Sequence, residues 1–510
     1  MSTLLYNGVI RTMAGTTVSA LVVKNGRIVY AGSDSGALAF GAESTLDLEG
    51  RCVLPGFVDS HTHILLTEEQ YHRLDLRGVR SADEIVRRGR AFLAENTLPD
   101  GGWLVGYGFD IPCPGRETAD AISTEIPVIL DRVCGHIGAG NGPALSLAGF
   151  SDHPDGILRE TELDRLKRCS PGIDPARTVE RLETVGARMA AAGITGVHSD
   201  DLGPEGVRWS VLLDACRTLE KRNACSVRLW QEWEAPDPES LRQGPLSQPL
   251  RSFQGSDWLK VGNIKLIGDG SLGAKTAFVR DDYIGEPGNR GISVYTQEEM
   301  DELVALCHGE NLQVACHAIG DGAVERFVNA VEKAMKADPK PLRHRVVHCQ
   351  FGDKDLYRRM GALGMGADIQ PAFVPTDASL AVEYMGKERA DSSYAWKTLL
   401  RSGVVCGGGS DSPVEDFSPI YGIHCAVNRP DGRGGVFLPE QRLTVEEAVR
   451  LYTTGPAVLA HDTENTGTLE AGKMADLVVL SADPFTCPPE LLNTIYPVLT
   501  MAGGRITYQR

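Results

Sequence analysis

The chain reads as an α/β protein, a (β/α) barrel with a smaller β module built from its two ends. Three observations predict it. Short apolar, β-branched runs alternate with helical runs through the middle of the sequence, the pattern of an α/β fold. At 510 residues the chain exceeds one comfortable domain, yet a barrel of roughly 250 to 400 residues and a small module fit it. Both ends have a strand-and-turn texture, and because single strands need partners, the two ends belong together.

The first 54 residues carry short strands at Leu4–Tyr6, Val9–Thr12 and Ser19–Val23. Asn25-Gly26 joins Leu21–Lys24 to Arg27–Ala31, the strongest short hairpin signal. At the far end Ala475–Leu480 reads as a strand, and Pro497–Tyr508 as a pair around Gly503-Gly504. The expected organisation is a composite β module over 1–54 and 461–510, with the barrel over 55–460.

Strand candidates between them are Val53–Asp59, Pro127–Leu130, Ile194–His198, Ser226–Trp230, Asn263–Ile267, Gln313–Cys316, Arg345–His348, Gly364–Ile369 and Val404–Gly407. Nine are offered for eight places, so the run around Leu130 or the run around Leu229 falls outside the barrel. Helices are expected over Ala82–Glu95, Ala176–Ala192, Trp209–Lys221, Glu298–Glu310, Gly322–Met335, Asp353–Met360, Tyr394–Arg401 and Val445–Tyr452. The stretch 101–174, with Pro112, Pro114, Pro127, Pro143, Pro154 and Pro171, reads as a loop-rich insert suited to a lid or substrate wall.

Composition narrows the partners. The formal charge is -17, from 68 acidic and 51 basic residues, with no dense Lys/Arg block. That argues against nucleic acid or an anionic membrane as principal partner. No stretch reaches the ~18 apolar residues of a membrane helix, and the start shows no signal-peptide pattern. Twelve cysteines are dilute in a chain this long, and Cys316 and Cys349 suit buried small hydrophobes. A reducing cytoplasm is the expected compartment.

The chemistry centres on Pro55-Gly56-Phe57-Val58-Asp59-Ser60-His61-Thr62-His63-Ile64. On an extended strand, positions i and i+2 share a side, so His61 and His63 can present imidazoles to one metal ion. Two donors do not complete a site, so further ligands must come from distant parts of the chain. Four more polar residues stand at the ends of apolar strands, where barrel loops carry chemistry: Lys265, His317, His348 and Asp411. A lone ammonium among Ile264, Leu266 and Ile267 is costly to bury unpaired. Either Lys265 pairs with Asp269 or another acid, or its amine has combined with CO2 to give a carbamate that bridges two metals. His317 and His348 equally suit satisfied core imidazoles, and Asp411 equally suits a cap on the turn before Pro413.

Val53–His63, the Lys265–Gly270 stretch, His317-Ala318-Ile319-Gly320-Asp321, Gly409-Ser410-Asp411-Ser412-Pro413 and Gly472–Leu480 together resemble the metal-dependent amidohydrolase superfamily. The similarity is to its amidohydrolase 3 branch, the group that contains N-substituted formamide deformylase. The resemblance implies a distorted (β/α)8 TIM barrel with a small β-sandwich formed by both termini. It implies that His61 and His63 hold one metal, that a carboxylated Lys265 bridges, and that His317 and His348 hold a second. Asp411 is then both a metal ligand and the general base. Two Zn2+ ions suit this charge balance, and one is the fallback.

His136 stands where the branch often reads Gly-His-Ser, and suits either a contact to the substrate carbonyl or a structural role. Ile137 and Gly142 replace serines common there. Tyr107, Asp110, Trp230, Gln231, Arg290, Gln370 and Phe373 are further pocket candidates. Asp321 and the Asp269-Gly270 turn are candidates for orienting the ligands, while the consecutive residues His198-Ser199-Asp200 cannot converge as a triad.

The expected function is hydrolysis of a non-peptide carbon–nitrogen bond in a small amide by metal-activated water. A cyclic amidase or ring deaminase would use the same site. A binding or regulatory protein that kept the barrel without turnover is the rival from another class. A homodimer is compatible with the family.

Overall fold

The computed structural model describes residues 2–96, 98, 101–132, 137–170, 175–203 and 207–510. Its apolar runs become the eight parallel strands of a nearly closed barrel: β1 (Phe57–Thr62), β2 (Ile194–Leu202), β3 (Arg228–Glu234), β4 (Leu259–Ile267), β5 (Val314–Ala318), β6 (Arg345–His348), β7 (Gly366–Ile369) and β8 (Val405–Gly408). The strands follow chain order around the sheet. Buried on both faces, such strands read as continuous apolar runs.

The structure decides between the two surplus candidates. The run around Leu229 is β3, whereas Val128–Arg132 lies in a separate five-stranded sheet. The candidate Val53–Asp59 is two strands. Cys52–Pro55 joins the sheet of the chain ends and Phe57 opens the barrel. Gly56 sits at the junction because a Cβ there would lie 2.2 Å from Thr195 Oγ1.

The barrel closes between β8 and β1 through the loop after β8. Asp411 N–H donates to the His61 carbonyl (2.9 Å) and His63 N–H to the Ser412 carbonyl (2.8 Å). The buried Asp59 carboxylate accepts from Ser410 Oγ (2.6 Å), Ser410 N–H and His61 N–H. Burial raises the Asp59 carboxyl to about 7, against the pull of those donors.

Most predicted helices form within a residue or two of expectation. Ala82–Glu95 starts at a Ser81 cap, and Gln297–Gly309 and Val445–Leu451 start at capping boxes, Thr296/Glu299 and Thr444/Glu447. Trp396–Arg401 starts two residues later than expected.

The chain ends form two peripheral sheets, the first from the N-terminal end alone and the second from both ends. One has four strands, in the order Arg27–Gly32, Ala20–Lys24, Ser2–Tyr6, Ser44–Asp47; the other has six, and pairs Leu477–Leu480 with Cys52–Pro55. Leu5, Leu21 and Val23 of the first share a core with Val53, Leu477 and Val479 of the second. Asn25 and Gly26 have φ of 52° and 80°, as a tight two-residue hairpin requires.

The chain divides into two compact units, Met1–Leu65 with Val179–Arg510, and Leu66–Thr178. The second carries the sheet Ile157–Arg159, Ile137–Gly140, Val128–Arg132, Leu104–Phe109, Leu74–Asp75, of which the sequence suggests only the strand around Leu130 within a loop-rich stretch. Its prolines punctuate that sheet: Pro143 stands in the first turn of the helix Gly142–Leu147 behind the Asn141 cap. No helix among the described residues is long and apolar enough to cross a membrane.

Candidate metal centre

At the C-terminal end of β1, His61 and His63 turn Nε2 toward one oxygen. Asp411 Oδ1 lies 3.4 Å from His61 Nε2 and 3.2 Å from His63 Nε2. Ligand atoms of these three residues lie within 4.8 Å of one another, a metal-binding group. The donor chemistry tests whether a cation fits. His63 Nδ1 is 2.8 Å from the Asp200 carbonyl, which only accepts, so Nδ1 carries the proton. In the neutral ring Nε2 is then a lone pair facing a carboxylate, and a cation between them resolves the opposition. With the rings protonated instead, donation from His61 and His63 outweighs burial and holds the Asp411 carboxyl well below its usual range, and a cation in the same place acts in the same direction.

The remaining sequence-predicted residues of the barrel gather around this group. Lys265, on β4 and 2% exposed, places Nζ 3.2 Å from His61 Nε2 and 3.1 Å from Asp200 Oδ2. Burial lowers its pKa, while Asp200, Glu232 and Asp411 raise it more. Its carboxylate partner is therefore Asp200, not Asp269. The rings of His61 and His348 are 5.7 Å apart, and those of His348 and His317 are 4.5 Å apart. His317 Nδ1 bonds Asp269 Oδ1 and His348 Nδ1 bonds Gln370 Oε1, each at 2.9 Å. Among the described residues neither Nε2 makes a hydrogen bond, which leaves it available to coordinate. Burial, then His317, pushes His348 well below the ordinary imidazole value.

Asp269 also accepts from the N–H groups of Phe278, Ile319 and Gly320, so it ties the loop after β4 to the end of β5. Asp321 accepts from Arg280 N–H and belongs to that loop's support. Among the pocket candidates, Phe373 stacks on His348 with centroids 6.0 Å apart. Trp230 packs against His198, Gln231 donates to the Ser199 carbonyl, and Arg290 pairs with Asp282 near the surface. Tyr107 and Asp110 lie in the unit Leu66–Thr178. His136 lies outside the described residues.

Two acids escaped the sequence reading. Asp200 ends a run set aside as a false triad, yet its carboxylate holds Lys265 and its carbonyl fixes His63. Glu232 on β3 lies fully buried beside His61. The signal for both was the one noticed at Lys265, a charged residue inside an apolar strand.

A barrel with a His-His-Asp group where β1 meets the loop after β8 defines a class, the metal-dependent hydrolases. The model of the amidohydrolase family matches residues 44–508, and the chain belongs to that family. The putative amidohydrolase YtcJ of Bacillus subtilis (strain 168) is 32% identical over 100% of both chains. The N-substituted formamide deformylase of Arthrobacter pascens is 24% identical over 99% of this chain and 98% of its own. Among solved structures, an uncharacterized metal-dependent hydrolase from Pyrococcus furiosus is 30% identical. It superposes with a TM-score of 0.81, covering 95% of this chain and 100% of the other.

Proposed function

We propose that the protein is a zinc-dependent amidohydrolase that cleaves a non-peptide amide bond in a small molecule. The observation that carries this reading is the convergence of His61 and His63 Nε2 on Asp411 Oδ1, with His63 Nδ1 committed to a carbonyl. His61, His63 and Asp411 would hold the metal. With Lys265 as a bridging carbamate, His317 and His348 would hold a second. When bound, Zn2+ supplies Lewis acidity, which lowers the pKa of water toward neutrality and polarises a carbonyl.

The chain's own groups then manage the protons. Asp411, ionised at neutral pH, takes a proton from the attacking water and delivers it to the departing amine as the C–N bond breaks. The products are a carboxylic acid and an amine. Asp269 and Gln370 keep His317 and His348 in one tautomer and orientation throughout. His136 is assigned to the substrate carbonyl by resemblance. The deformylase relative, named for N-substituted formamides, favours a formamide substrate. We read 1–54 with 461–510 as a composite sandwich domain and 55–460 as the catalytic barrel, in a cytoplasmic protein with no nucleic-acid or membrane partner.

Zinc-loaded protein is to be assayed against N-formyl, N-acetyl, N-acyl-amino-acid and cyclic amides. Amine release from one class supports the reading. In Asp411→Asn that activity falls about 10²–10⁴-fold. No hydrolysis of any class by metal-loaded protein, or undiminished turnover in Asp411→Asn, contradicts it.

A further inference from the structure

A buried carboxylate faces the one imidazole nitrogen at the centre that nothing anchors. His63, His317 and His348 each rest Nδ1 on an oxygen. His61 does not: among the described residues its Nδ1 has no hydrogen-bond partner. Glu232 Oε2 is equally without one, and it lies 3.5 Å from His61 Nδ1, with both side chains at most 1% exposed. Glu232 Oε1 accepts from Asn263 Nδ2 at 2.9 Å, which orients the carboxylate toward His61. Two buried polar atoms left unpaired would cost about 1–3 kcal/mol each. A few tenths of an ångström of approach pairs them with each other.

We propose that Glu232 is a positioning residue that accepts the Nδ1 proton of His61 and thereby presents the Nε2 lone pair to the metal. The inference rests on the reading of His61 as a ligand. Glu232 acts through His61 alone, since Asn263 occupies its other oxygen. Its strand supports this placement: Glu232 and Trp230 alternate with Gln231 along β3, and Gln231 turns to the Ser199 carbonyl of the neighbouring strand. A simple alternative exists, because Lys265 and Arg345 also face Glu232. A mere counter-ion would support the fold and leave metal affinity alone.

Competition between the apo-protein and a chelator for Zn2+ separates the two, with melting of the apo forms measured alongside. Glu232→Met keeps length and removes the acceptor, and weakens Zn2+ binding about 10–100-fold. Glu232→Gln keeps an acceptor if Asn263 turns its unpartnered Oδ1 inward, and falls between wild type and Glu232→Met. Wild-type affinity in Glu232→Met, with or without a lower apo melting temperature, overturns the role of Glu232 and leaves the metal centre standing. A wild type that binds no Zn2+ overturns both. Where Glu232→Met melts too low to titrate, Glu232→Gln decides, and an affinity equal to wild type counts against the proposal.

Discussion

His348 and Asp411 hold backbone that side-chain-bearing residues rarely adopt, with φ of 73° and 56°. Such conformations cost about 1–3 kcal/mol each and persist where their surroundings over-determine them. Here Asp411 N–H is tied to the His61 carbonyl, and the His348 ring is tied to Gln370 and packed by Phe373. The strain thus falls on the end of β6 and the loop after β8, which aim the two side chains. Elsewhere, a buried pair makes a pH prediction. Val314 N–H donates to His344 Nδ1 (3.0 Å), so His344 Nε2 carries a proton and donates to His308 Nδ1 (2.9 Å). His308 Nε2 then donates to the Asp338 carbonyl. Burial, then His308, lowers His344 to about 3 from 6.5. The unfolded chain gains this proton near pH 6.5 and the folded chain does not, so the contribution is whole above that pH. It drains as pH falls toward 3, with about 2 kcal/mol gone by pH 5. Urea unfolding between pH 7 and 5 should show a slope shallower by about one proton in His344→Gln; an unchanged slope contradicts the assignment. At this scale the sequence was legible where a polar residue interrupts or ends an apolar strand, as at His61, Lys265 and His348. Asp200 and Glu232 obey the same rule, but each sits beside other polar residues that disguise it.

Closure of the sheet depends on one short element, β8 and the glycine that follows it. Gly409 lies where a Cβ would come within 2.8 Å of both the His61 nitrogen and its carbonyl oxygen. Only a residue without a Cβ lets the loop carrying Asp411 lie against the strand carrying His61. Gly409→Ala should therefore destabilise by about 2 kcal/mol or more and weaken metal binding with it. Unfolding and metal titration of that variant check both, and wild-type values for the two would remove Gly409 from this role. The glycine run Gly407-Gly408-Gly409 is plain in the sequence, but its purpose needs the neighbour across the seam. The same holds for the surplus strand. Runs around Leu130 and Leu229 are equally apolar and equally short, and only their partners distinguish them. The sequence predicts one strand over Val53–Asp59, yet Gly56 divides that run between two sheets. Apolar periodicity does not change where a chain leaves one sheet for another.

On the scale of the whole molecule, the barrel's work is to bring together side chains far apart in the chain. The motifs at 61–63, 265, 317, 348 and 411 each suit an ordinary structural role alone, and become a centre only when eight parallel strands bring their C-terminal ends together. That architecture was legible from strand and helix alternation and from the two β-textured ends, because each is set by local chemistry. The α/β unit Leu66–Thr178 was not, since its proline-rich sequence hides a sheet of short strands. The central claim is that His61, His63 and Asp411 form one cage for a divalent metal. Metal analysis of protein purified without chelators tests it most directly, with wild type compared against a His61→Ala/His63→Ala double variant of verified fold. The account predicts stoichiometric divalent metal in the wild type and its loss in the variant. Wild-type protein that takes up no metal even when offered Zn2+, or a variant that retains the full complement, would contradict it.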